Sequence, residues 1–176
     1  MADAKVIDVR IADLRQLFNS FDPSPFHEKD LDRAAEDYIV EWANEFPPGT
    51  PLQLVVRLPD DQVESAERTD LRRAIANYFA YRATESRRRI RFQFREGRVA
   101  LAIGLAFLIA CILLRQLAGS IEQPTVRPVL QEGLVILGWV AMWRPLQIFL
   151  YDWWPVRHYA RLYDALAAMP VKIVPL

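Results

Sequence analysis

The chain has 176 residues, 52% hydrophobic and 25% charged, with a formal net charge of zero and a single cysteine. The length allows about one domain, and the lone Cys111 excludes an intramolecular disulfide or a cysteine metal cluster. The neutral total hides a segregated chain: residues 1–81 hold 16 acidic and 9 basic side chains, residues 82–98 hold 2 and 7, and residues 99–176 hold 4 and 6, and an acidic leading region argues against nucleic acid as the main partner.

Residues 1–20 are charged and lack an apolar secretory core, so the N-terminal region is expected to stay in the cytoplasm. The alternation in KVIDVR (5–10) predicts a strand, and SFDPSPF (20–26) a turn with two prolines. A helix is expected from about 28 to 46, with Leu31, Ala35, Tyr38, Ile39, Trp42 and Phe46 on its apolar face. Asp32, Glu36, Asp37, Glu41 and Glu45 read as its solvated face rather than as paired carboxylates for acid–base chemistry. PPGTP (47–51) stops this helix, and LQLVVRL (52–58) reads as a second strand ended by Pro59. Thr69 and Asp70 are placed to cap a further helix whose apolar positions are Leu71, Ile75, Tyr78, Phe79 and the stem of Arg82.

That helix is expected to continue through a basic collar, residues 82–98, because Ile90, Phe94 and Leu101 keep helical spacing; the alternation in IRFQF (90–94) allows a short strand instead. Arg87, Arg88, Arg89, Arg91, Arg95 and Arg98 would be drawn to anionic lipid by about 1 kcal/mol per charge near the surface, and the same charges set topology.

Residues 99–114, VALAIGLAFLIACILL, carry no charge. Extended to residue 118, the run has the roughly 20 residues that cross about 30 Å of hydrocarbon. A second run, GLVILGWVAMWRPLQIFLY (133–151), contains Arg144 and Pro145. An arginine near the centre of a span costs about 3 kcal/mol on insertion scales. Arg144 is read as snorkelling to the interface or pairing with Asp152 two turns on; the alternative is a contact for a lipid headgroup, an ion or a partner helix. Pro145 should kink the helix beside it. Basic residues crowd the outer ends of the two runs, whereas the connecting loop, 119–132, holds only Arg127, so both termini are predicted inside. Tyr151, Trp153 and Trp154 read as the inner interfacial belt, with Arg157 next to it.

Beyond the hairpin, Val156 to Met169 forms an amphipathic helix with Tyr159, Leu162, Tyr163 and Leu166 on one stripe, ended by Pro170. VKIV (171–174) reads as a last strand that joins the first two in one small sheet. The expected fold is therefore an α+β membrane protein: a two-helix transmembrane hairpin (99–118 and 133–151) carrying a small cytoplasmic α/β domain, residues 1–81, closed by both termini through 152–176.

The only histidines are His27 and His158, and the His27–Glu28 neighbourhood matches no standard zinc spacing. Phosphate-loop, dinucleotide, serine-elbow and HExxH patterns do not occur. No catalytic, cofactor-binding or metal residue is therefore expected. The expected contact cluster is Arg144, Pro145, Asp152, Trp153, Trp154 and Arg157, facing membrane lipids or a partner. The leading expectation is a non-enzymatic anchor, scaffold or accessory subunit of the bacterial inner membrane, working as a homo-oligomer or within a larger membrane complex. The alternatives are an oligomeric pore, which the apolar first span disfavours, and an enzyme acting on a lipid or quinone at the inner interface.

GWVAMWRPLQIFLYDWWP (138–155), FDPSPFHEKDLD (21–32) and YFAYR (78–82) together resemble an uncharacterised family of small bacterial two-span membrane proteins. The resemblance covers most of the chain and implies the topology alone.

Overall fold

The computed structural model describes residues 4–25, 29–120 and 123–176; His27 and Glu28 lie outside the described residues. The chain forms two compact units, residues 1–87 with 158–176, and residues 88–157.

The first unit is built on a three-stranded parallel sheet of order β1-β2-β3: β1 Lys5–Arg10, β2 Leu52–Leu58 and β3 Val171–Pro175. All three strands stand where the alternation places them. The register aligns Ile7 with Leu54 and Val171, and Val9 with Val56 and Ile173, so one face of the sheet is a continuous apolar layer. Parallel neighbours need crossover connections. The first is α1, Arg33–Asn44; the second includes α2 (Asp60–Arg68), α3 (Leu71–Leu117) and α6 (Trp153–Ala168). Ile39, Leu71, Ile75, Phe79 and Leu166, all fully buried, join Ile7, Leu54, Val56 and Leu58 in the core. On the opposite sheet face, Asp8 and Arg57 form a half-exposed ion pair at 3.0 Å.

Four details differ from the expectation. α1 begins at Arg33, not near residue 28. Leu31 bridges to Phe18 in extended form, and the Asp32 carboxylate caps the helix by accepting the Ala34 N–H at 2.9 Å. Glu36, assigned to the solvated face, is buried. α2 was not anticipated, because only Val63 and Ala66 give it an apolar side and the rest is charged or polar. Thr69 and Asp70 do not cap α3. The Thr69 hydroxyl donates back to the Ser65 carbonyl at 2.8 Å, and Asp70 adopts φ +51°, closing α2 with a left-handed residue that a short acidic side chain tolerates.

The second unit is a helical pair. α3 runs unbroken through residues 88–98, so the strand alternative for IRFQF is overturned: in a continuous helix every backbone group there is satisfied locally. A 3₁₀ turn, Ala118–Ser120, follows, then α4, Val126–Ala141. α4 starts well before Gly133, so residues 126–132, expected in the loop, are helical. Gly97, Gly104 and Cys111 on α3 and Ala118 just beyond its end recur every seven residues and are all buried. A Cβ built at Gly97 would lie 2.8 Å from Ile148 Cγ2, and one at Gly138 would lie 2.7 Å from Leu108 Cδ1. Small residues at a seven-residue period let two apolar helices approach closely, as association within lipid requires.

Pro145 has the consequence expected of it, with an added use. It cannot donate to the Ala141 carbonyl four residues back. The ladder turns at Met142 and resumes as the short helix α5, Trp143–Gln147. The Ala141 carbonyl oxygen stands 2.9 Å from where a Gly104 Cβ would be, so a released acceptor packs on the bare backbone of α3. A π-helical turn, Ile148–Asp152, leads into α6.

Two helical stretches, Leu71–Ser120 and Val126–Ala168, are long and apolar enough to cross a membrane, and 17% of each apolar window is buried. Ile103, Leu105, Ile136, Leu137 and Val140 all point outward, a far larger exposed apolar surface than a soluble monomer shows.

Candidate functional site

Two polar clusters form in apolar surroundings, one in each unit. In the helical pair, Arg144 donates to Asp152 at 3.1 Å and lies 3.8 Å from Glu96. Arg144 and Asp152 lie eight residues apart across α5 and the π turn, and their side chains meet on one side. Glu96, from the neighbouring helix, completes the triad. Arg144 is thus neutralised by two acids rather than left alone among apolar side chains.

The π turn shapes the same region. Trp153 Nε1 donates to the Phe149 carbonyl at 2.9 Å, satisfying an acceptor in the widened turn. Trp153 also packs on Phe94, with ring centroids 6.2 Å apart, and Arg157 lies 5.5 Å over its ring. Gln93 donates to the Asp152 carbonyl at 3.4 Å, while its own Oε1 is buried without a donor among the described residues. Pro145 is buried against the helix pair, and Trp154 is 64% exposed, edge-on to Trp153. Arg144, Asp152, Trp153 and Arg157 therefore share one end of the pair; Trp154 points outward and Pro145 acts on the backbone. Glu96, Gln93 and Phe94 are not among the expected contact residues. Phe94 carries the helical spacing with Ile90 and Leu101, while Gln93 and Glu96, three residues apart, are overshadowed by the arginines around them.

The collar arginines Arg87, Arg88, Arg89, Arg91, Arg95 and Arg98 are all exposed. Arg87, in the first unit, bonds Asp164 of α6.

The second cluster is the buried Glu36 in the first unit. Its carboxylate accepts the Tyr78 hydroxyl at 2.6 Å, Arg82 Nε at 2.7 Å and the Tyr163 hydroxyl at 3.1 Å. Arg82 also lies 5.3 Å over the Tyr163 ring and bonds Glu85 at 2.8 Å. Burial, followed by the hydrogen bond to the Glu36 carboxylate, raises the Tyr78 pKa well above the usual phenol value; burial and the charge of Glu36 raise that of Tyr163 in the same way. For Arg82 burial opposes the charge, but the Glu36 carboxylate outweighs it and the guanidinium stays ionised. One carboxylate thereby ties α1 to α3 and α6, with three donors taking up its acceptor capacity. Periodicity hid this residue, although Glu36 stands three and seven positions before the buried Ile39 and Ala43.

His158 Nε2 lies 2.7 Å from Asn44 Oδ1, and His27 lies outside the described residues. Among the described residues no group of three His, Cys, Asp or Glu side chains converges as a metal site would require. No family model, curated protein or solved structure matches the chain.

Proposed function

We propose that the protein is a multi-pass protein of the bacterial inner membrane that works without catalysis, as an anchor or scaffold. On this reading the hairpin α3–α4 crosses the bilayer and holds the α/β unit at its cytoplasmic face, where it assembles with further copies or a partner complex. One observation carries the reading: two helices packed on each other through small residues leave about four-fifths of their apolar windows facing outward. Lipid is the environment that such a surface suits. The flanking arginines favour the cytoplasm at both outer ends. Further support comes from the composition of the first unit. Residues before Arg88 and after Arg157 belong to one compact body, so both leave the hairpin on the same side. The polar triad of Arg144, Asp152 and Glu96 suits the inner boundary of the spans, where charged groups reach water and headgroups.

Alkaline carbonate extraction of bacterial membranes tests the reading. The full chain should stay in the pellet, as an integral protein does. Release into the supernatant would contradict it.

A further inference from the structure

Two charged stripes face outward without partners. On α3, Arg88, Arg91, Arg95 and Arg98 are exposed. They fall within about 80° of one another at 100° per residue and span about 15 Å of axis. The acids Glu85 and Glu96 lie outside this arc and face Arg82 and Arg144. Among the described residues none of the four arginines forms an ion pair. Lipid can serve only part of the stripe. Arg98 and Arg95 stand about 1.5 and 6 Å before Val99, where the apolar run opens, within the roughly 5–8 Å of headgroups on each side of a bilayer. Arg91 and Arg88 stand about 12 and 16 Å before it, beyond that layer.

The matching surface is on α1. Asp37, Glu41 and Glu45 recur every four residues and are exposed, directly opposite the buried Glu36, Ile39 and Ala43. Among the described residues Glu41 and Glu45 bond no cation, and Asp37 has only a 3.9 Å contact with Arg33. The exposed rings of Tyr38 and Trp42, 42% and 41% accessible, flank the stripe. Among the acids of α2, Asp60 and Asp61 complement its N-terminal dipole and Arg68 holds Glu64 at 2.6 Å, which leaves Glu67 as a single acid rather than a stripe. Both free stripes run along their helix axes with a charge every 4.5–6 Å or so.

We propose that the α3 stripe of one copy docks on the α1 stripe of the next, making this the contact through which the chain self-assembles; the inference rests on the scaffold reading above. Each copy carries one stripe of each sign, so two copies that dock reciprocally close as a dimer, and copies that dock head-to-tail form a ring or a longer chain.

The test uses two full-length variants, R88E/R91E and D37K/E41K, examined by native mass spectrometry from detergent. The wild type should form an oligomer of two or more copies. Each variant alone should be monomeric with an unchanged melting temperature. A mixture of the two should form a one-to-one pair that grows no further, since only one competent contact remains. The proposal is overturned if the wild type is monomeric, if either variant keeps the wild-type oligomer, or if the mixture fails to pair. It is equally overturned if R88E/R91E stays oligomeric and instead loses binding to phosphatidylglycerol vesicles, which would give the stripe to lipid. Should a charge reversal unfold the chain, R88Q/R91Q and D37N/E41N replace the pair, and each must still lose the oligomer. Carbonate extraction of the wild type separates the two ideas: a chain that stays in the pellet while its variants assemble normally defeats the docking contact alone.

Discussion

Glu36 is the residue on which the α/β unit leans most. Removing it as Glu36→Ala leaves Arg82 and two tyrosine hydroxyls without their shared acceptor. Breaking a buried pair typically costs about 3–5 kcal/mol; Arg82 keeps 33% of its side chain accessible, so the expected loss is about 3 kcal/mol, read from thermal unfolding in detergent. The tyrosines give this cluster a pH signature. In the unfolded chain Tyr78 loses its proton near pH 10, as a free phenol does, whereas in the folded unit burial and Glu36 hold that proton to higher pH. The stabilisation is therefore complete below pH 10 and declines as pH rises above it. Melting temperature should fall more steeply above pH 10 in the wild type than in Tyr78→Phe, and parallel curves would refute the assignment. Arg144 and Asp152 should behave as a coupled pair. Arg144→Ala and Asp152→Ala each strand a charge at the end of the helix pair, and the double variant should lose less stability than the sum of the two.

Among the secondary-structure elements, the helix pair depends on glycine. Gly104 accepts the Ala141 carbonyl that Pro145 releases, so Gly104→Val forces two backbones apart, costing about 1–3 kcal/mol as overpacking does. In a chain carrying Cys111→Ala, because the native Cys111 Cβ would otherwise stand 3.4 Å from a Cβ at 138, disulfide cross-linking between cysteines introduced at Leu108 and Gly138 should form readily and slow markedly with Gly104→Val; equal rates would mean that the close approach is unimportant. The strands were legible because alternation within five to seven residues marks a half-buried strand directly, and β3 could be assigned despite its distance from β2. The helix through residues 82–98 was legible only as the better of two readings, since arginines carry little periodic information. α2 gave no usable signal, having one charged face and almost no apolar one. The Glu36 cluster was hidden for a different reason. Its members come from positions 36, 78, 82 and 163, and no local pattern ties a carboxylate to donors that far away in the chain.

For the molecule as a whole, the composition already separated an acidic body, a basic collar and an apolar hairpin. The fold bears out the expected closure by both ends of the chain: β3 and the end of α6 return to the same body as β1 and α1. A chain arranged in this way can complete its sheet only if residues 1–87 and 158–176 share one compartment. The crossing itself is best tested by labelling with a membrane-impermeant maleimide in spheroplasts. Cysteines are placed singly at Ser65, Gln123 and Lys172, all exposed, in a chain carrying Cys111→Ala. The cysteine at 123 should react in intact spheroplasts, and those at 65 and 172 only after lysis. Labelling at 65 and 172 on opposite sides, or no difference between intact and lysed cells at any position, would contradict a hairpin that crosses the membrane with both ends inside.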